Sequence, residues 1–131
     1  MTDSSSMPRG TGTLDDQALA KLRELDPTGA NRLLERVANA FLSSTPELLA
    51  QLESVRNDSP DMATIRRVAH TLKSSCANIG ALAMSRRCAE IEQLAHQGQA
   101  QPLAALLDGL GSDWTEVHEA LTNLLAEPRP E

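Results

Sequence analysis

Aromatic side chains are nearly missing from this chain. Phe41 and Trp114 are the only two in 131 residues, and there is no tyrosine. The core must therefore be built from Leu, Ala, Val and Ile, and the Leu- and Ala-rich balance favours helix over sheet. Cysteine is scarce as well. Cys76 and Cys88 are too few for a disulfide framework or a zinc site. Both fall at apolar helical positions, which reads as buried free thiols in a reducing compartment. No apolar run approaches the roughly 18–20 residues of a membrane span. The N-terminus lacks the apolar stretch of a signal peptide. A cytoplasmic location and no membrane partner are the expectation.

Positive charge is also short, with 12 Lys and Arg against 18 Asp and Glu and a net charge of −6. A nucleic-acid binder shows the opposite balance or a clear basic stripe, so no nucleic-acid partner is expected. The basic residues concentrate in Arg66/Arg67/Lys73 and Arg86/Arg87. Such local charge suits a small acidic surface or a phosphoryl group. For Arg86/Arg87 alone, an ordinary solvated helix face is the simpler account. Several chemistries lack their motifs. There is no phosphate loop of the form G-x-x-x-x-G-K-S/T, no G-x-S-x-G and no H-E-x-x-H. No ATP site, autokinase activity or cofactor is expected. His96 and His118 make no i, i+4 pair with another His or Cys, so no metal site is expected either.

The length implies one domain. Residues 1–13 are rich in Ser, Thr, Gly and Pro and read as a disordered segment. Residues 127–131 read as a frayed tail, leaving 14–126 as the folded domain. These ends suit a free-standing protein slightly better than an excised tail. Leu14, Ala18, Leu22 and Leu25 repeat at helical spacing, with Asp15 and Asp16 at the positive end of a short helix. Asp26-Pro27-Thr28-Gly29 breaks it. A second helix is expected over about 30–55, with Pro46 inside it. The apolar phase persists across Pro46, which favours one kinked helix over two.

Asp61 is a candidate N-cap for a third helix over about 62–78, with Gly80 at its end. A fourth runs over about 82–97, with Met84, Cys88, Ile91 and Ala95 inward and Gly98 as its stop. A fifth spans about 102–126, with Pro102 in its first turn. Gly109 and Gly111 weaken its middle, where a kink is expected. The fold expected is all-α: an antiparallel four-helix bundle with a short additional N-terminal helix. The short connection makes helices three and four a hairpin.

The third helix carries the most informative residue. At about 100° per residue, Ile65, Val68, Ala69, Leu72, Cys76 and Ile79 form one apolar stripe. His70 lies roughly 120–140° from its centre, on the solvent side. Arg66, Arg67, Lys73 and Ser74 are its neighbours one turn away. An imidazole in water is mostly neutral near pH 7 and is available to react as a nucleophile. The cations would attract a phosphoryl group's negative charge. The small Ser74 and Ala77 on the exposed face would let a partner approach closely. Ser75, at the stripe margin, reads as packing.

The run His70-Thr71-Leu72-Lys73-Ser74-Ser75-Cys76, followed by Ile79-Gly80, resembles the signature of histidine-containing phosphotransfer (Hpt) domains of two-component phosphorelays. That family carries His-x-Leu-Lys-Gly and then small residues; this chain has Ser74 where the family usually has glycine. The resemblance extends weakly over residues 15–125. It implies a phosphocarrier, not an enzyme, with His70 as phosphoryl acceptor and Lys73 stabilising the phosphoryl charge. It implies receiver domains of response regulators or hybrid kinases as partners. It also places Glu92 of helix four where a polar residue can face the histidine. A carboxylate there would accept from Nδ1 and leave Nε2 to attack; a Glu92 turned to solvent is the alternative. Arg66 and Arg67 are supporting residues on helical spacing alone. A monomer is expected, since a buried four-helix core needs no partner. A helical module that binds receivers without carrying phosphate would have nearly the same sequence.

Overall fold

Among the described residues, five helices follow from caps and breaks written into the chain. The structure, a computed structural model, describes residues 13–57 and 59–126. The expected disordered start and frayed tail lie, apart from Thr13, outside the described residues. Helix α1 spans Asp16–Glu24 and is N-capped by Asp15, whose carboxylate accepts from the Ala18 N–H. Helix α2 spans Leu33–Ser54, α3 Met62–Ile79, α4 Leu82–Gln97 and α5 Ala100–Ala126. Helices α2 to α5 form the bundle, and α1 packs on α2 and α3.

The α1 register differs from the expected one. Leu19 is buried, whereas Leu25 is 74% exposed. Leu25 is the C-cap of α1 and keeps right-handed helical angles, but the face of α1 that meets the core centres on Leu19 and the half-buried Leu22, which leaves Leu25 on the solvent flank. The break that follows has a second role. Asp26 is buried, and its carboxylate accepts from the N–H groups of Asn31 and Leu33. It thereby satisfies donors at the start of α2, where Arg32 occupies the cap position in a left-handed conformation and offers no side-chain cap.

Helix α2 runs unbroken through Pro46, as the persistent apolar phase predicts. Asp61 caps α3 through the Thr64 N–H and hydroxyl. Gly80 ends α3 at φ 89°, a left-handed turn that favours glycine. A Cβ there would also meet the Asp15 backbone at 3.0 Å, because the Gly80 carbonyl accepts from the Asp15 N–H at 2.8 Å. The entry to α1 is thus pinned to the tip of the α3–α4 hairpin.

The core is mostly Leu, Ile, Val and Ala, with Phe41, Met84 and both cysteines, filled from all five helices. Cys76 and Cys88 are free and buried. Its hydrogen bond with Cys76, and then burial, push the Cys88 thiol up, which disfavours the reactive thiolate there. Phe41 and Trp114 meet at 5.7 Å in a tilted arrangement between α2 and α5. Helix α5 is continuous through Gly109 and Gly111, with Pro102 in its first turn. Gly109 has a packing reason: a Cβ there would overlap the Arg87 guanidinium.

Candidate functional site

The α3–α4 hairpin is the most extensively packed pair in the protein. It fixes the side chains of one helix against those of the other. The α3 stripe Ile65, Val68, Ala69, Leu72, Cys76 and Ile79 is fully buried. That burial turns the opposite side of α3 to solvent, and His70 stands there with 63% of its side chain exposed. The backbone reinforces the seam where the Ser85 hydroxyl of α4 donates to the Lys73 carbonyl of α3 at 2.8 Å.

Glu92 of α4 closes the site. Its Oε2 lies 2.9 Å from His70 Nδ1 and its Oε1 lies 2.8 Å from Lys73 Nζ. A carboxylate accepts only, so Nδ1 is the nitrogen that carries the proton. This fixes the tautomer and leaves the Nε2 lone pair free. Nε2 has no hydrogen-bond partner among the described residues. The Lys73 ammonium holds the Glu92 carboxyl below the ordinary glutamate value, partial burial opposes that, and His70 adds to it. Of the two arrangements the sequence leaves open for Glu92, the inward one is found.

A surface depression surrounds the ring, lined by Ala63, Arg66, Arg67, His70, Thr71 and Glu92. Arg66 and Arg67 thus share a surface with His70, but neither forms an ion pair among the described residues. Arg67 bonds to Gln51 of α2 at 3.3 Å. Ser74 and Ala77 are exposed on α3 about one and two turns C-terminal to His70, outside the lining of the depression. Ser75 is half-buried and its hydroxyl donates to the Thr71 carbonyl, in line with a packing role. His96 sits in the last turn of α4. His118 lies edge-on to Trp114 at 5.4 Å. No cluster of His, Cys, Asp and Glu able to hold a metal occurs among the described residues.

Two features escape sequence reasoning. Lys73 is an ion-pair partner of Glu92 as well as a neighbour of His70, a pairing across two helices that spacing within α3 does not reveal. Thr71 and Ala63, which line the depression, carry no motif signal of their own.

The geometry defines a class: an all-helical bundle that presents one solvent-open imidazole, oriented by a carboxylate from the neighbouring helix. The Hpt domain family matches residues 36–127, so this chain belongs to the Hpt domain family. Its fold is similar to that of histidine-containing phosphotransfer protein B (HptB) from Pseudomonas aeruginosa PAO1. The TM-score is 0.74 at 27% identity, covering 89% of this chain and 97% of that one. No curated protein matches. The chain is therefore a histidine-phosphotransfer module of a phosphorelay, a phosphocarrier rather than a kinase, of the kind that interacts with receiver domains. No described helix is long and apolar enough to cross a membrane.

Proposed function

We propose that His70 accepts a phosphoryl group from the phospho-aspartate of one receiver domain and passes it to the aspartate of another. The observation that carries this is the His70 ring itself: exposed, with Nδ1 held by Glu92 and Nε2 unpartnered. In the forward step the Nε2 lone pair attacks phosphorus. A P–N bond forms, the P–O bond to the aspartate breaks, and the aspartate leaves as a carboxylate. The protein's contribution is a positioned nucleophile, a matter of proximity and orientation.

Lys73 balances the charge of the transferred group, for which its ammonium lies one helical turn from the ring. Arg66 and Arg67 add positive potential to the depression that the receiver covers. Ser74 and Ala77 keep the approach low, so that a receiver's acidic pocket can reach Nε2. With no nucleotide-binding motif in the sequence, the phosphoryl group comes from a partner and not from ATP. The protein acts as a monomer in the cytoplasm, where its buried core is complete without a second copy.

The test is phosphoryl exchange from a labelled receiver, with His70→Gln run beside the wild type. An acid-labile, base-stable adduct is expected on the wild type alone. Full labelling of a folded His70→Gln protein sinks the assignment.

A further inference from the structure

His70 has cations on both sides along α3, and the structure does not treat them alike. A side chain on a helix leans back toward the N-terminus, over the residues three and four positions before it. For His70 those are Arg67 and Arg66. The depression around the ring follows that lean. Its α3 lining is Ala63, Arg66, Arg67, His70 and Thr71, whereas Lys73, in the turn beyond the ring, is outside it. Glu92, the α4 residue of the lining, holds Nδ1. The nitrogen left to carry a phosphoryl group therefore belongs to a ring set among arginines.

The three cations also differ in what already occupies them. Lys73 Nζ lies 2.8 Å from Glu92 Oε1. The Arg67 guanidinium donates to Gln51 at 3.3 Å, which draws it toward α2. The Arg66 side chain is exposed and makes no hydrogen bond or ion pair among the described residues. Many surface arginines share that freedom. Arg66 differs in standing four residues before His70, which puts the two side chains on one face of α3. Its planar fork can meet two phosphoryl oxygens at once, and it carries a charge that the free imidazole does not use.

We infer that Arg66 binds the phosphoryl group of phospho-His70 directly, beside the charge that Lys73 supplies from its pair with Glu92, while Arg67 stays anchored to α2. This rests on His70 being the carrier. The state that gains is the phosphorylated one, since the free ring offers Arg66 no anion. Arg66 therefore biases the division of phosphoryl groups between receiver and carrier toward the carrier. A residue that only helps a receiver to dock acts on both directions of transfer. It leaves the division between the separated proteins unchanged, because it does not distinguish the two end states.

The experiment measures that division. Wild type, Arg66→Gln and Arg67→Gln are each mixed with a labelled receiver, dilute enough that little complex persists. Exchange runs until the division of label is constant, approached once from labelled receiver and once from labelled carrier. Arg66→Gln is expected to move the division about threefold toward the receiver, the size of an exposed ion pair. Arg67→Gln is expected to move it less. An unchanged division for Arg66→Gln, with only the approach slowed, overturns the inference and makes Arg66 a docking residue. A shift as large in Arg67→Gln overturns the assignment to Arg66. A second measurement compares the arginine Nε–H signals of the wild type before and after labelling, free of receiver. The signal missing from Arg66→Gln is expected to move most, and a larger movement of any other overturns the inference. A wild type that takes no label overturns the carrier reading as well. A labelled wild type whose division Arg66→Gln leaves unchanged removes the role of Arg66 alone.

Discussion

Helix α4 sends a charged side chain to each of its neighbours, and the two seams end differently. Toward α5, Arg87 meets Asp113 at 2.6 Å through Nε, with a second, longer contact through its terminal nitrogen at 3.5 Å. The guanidinium lies over Gly109, which leaves the space it occupies. Toward α3, Glu92 meets Lys73 and His70, but the histidine's Nε2 has no partner among the described residues and its side chain is largely exposed. The first arrangement closes on itself and ties two helices together. The second leaves one nucleophilic atom open at the protein surface. An ion pair between helices is therefore no sign of function by itself; the unfilled valence is what separates the two.

Breaking the open seam at its reactive atom has the largest effect. His70→Gln is expected to abolish labelling, while thermal unfolding stays within the small range of surface substitutions, about 0.5 kcal/mol. Circular dichroism melting beside the labelling assay checks both halves. A next, smaller effect is expected from Lys73→Met, which removes the cation shared between Glu92 and the incoming group. Labelling should slow about tenfold, or about 1.4 kcal/mol of barrier, measured as the initial rate of label uptake. An unchanged rate would confine Lys73 to its pairing with Glu92.

The two seams also differed in how much of them the sequence disclosed. Helices α3 and α4 were bounded to within a residue, because Asp61, Gly80 and Gly98 punctuate them with cap chemistry that acts over one turn. His70 was legible for the same local reason: six apolar residues on one face of α3 leave no inward position for it. For Glu92 the sequence leaves two arrangements open, one facing the histidine by resemblance alone and one turned to solvent, and only the packing of α4 on α3 decides for the inward one. Arg87 and Asp113 lie 26 residues apart on α4 and α5, and no local period links them. Gly109 accordingly read as a weak point in a helix, when its missing side chain is what admits Arg87. Leu25 was misjudged for a related reason. Periodicity gives an apolar stripe but not which flank of it meets the core, and α1 buries Leu19 while Leu25 faces solvent.

The closed seam answers to stability and not to labelling. Asp113→Asn removes the carboxylate that holds Arg87 above its ordinary value. The Arg87 side chain is 34% exposed and that of Asp113 16%, so solvent screens part of the interaction. A loss of about 1 kcal/mol is expected, read from the denaturant midpoint. Phosphoryl transfer should proceed at the wild-type rate. A slowed transfer would show that the α4–α5 seam positions Glu92 and that the two sides of α4 are coupled.

Gly109→Ala is expected to have the smallest effect, because two terms oppose each other. The new Cβ would overlap the Arg87 guanidinium, forcing the arginine off Asp113 and losing that pairing. Alanine in a helix interior is favoured over glycine by about 1 kcal/mol. The displaced group is the far end of a flexible side chain, so it can swing to solvent without strain in the backbone. A net change within about 0.5 kcal/mol follows. Combining Gly109→Ala with Asp113→Asn then separates the terms. If Gly109→Ala already breaks the pair, adding Asp113→Asn costs nothing further and the double variant is more stable than Asp113→Asn alone. If the two losses simply add, Arg87 has stayed on Asp113 beside the new methyl group, and Gly109 is not there to make room for it.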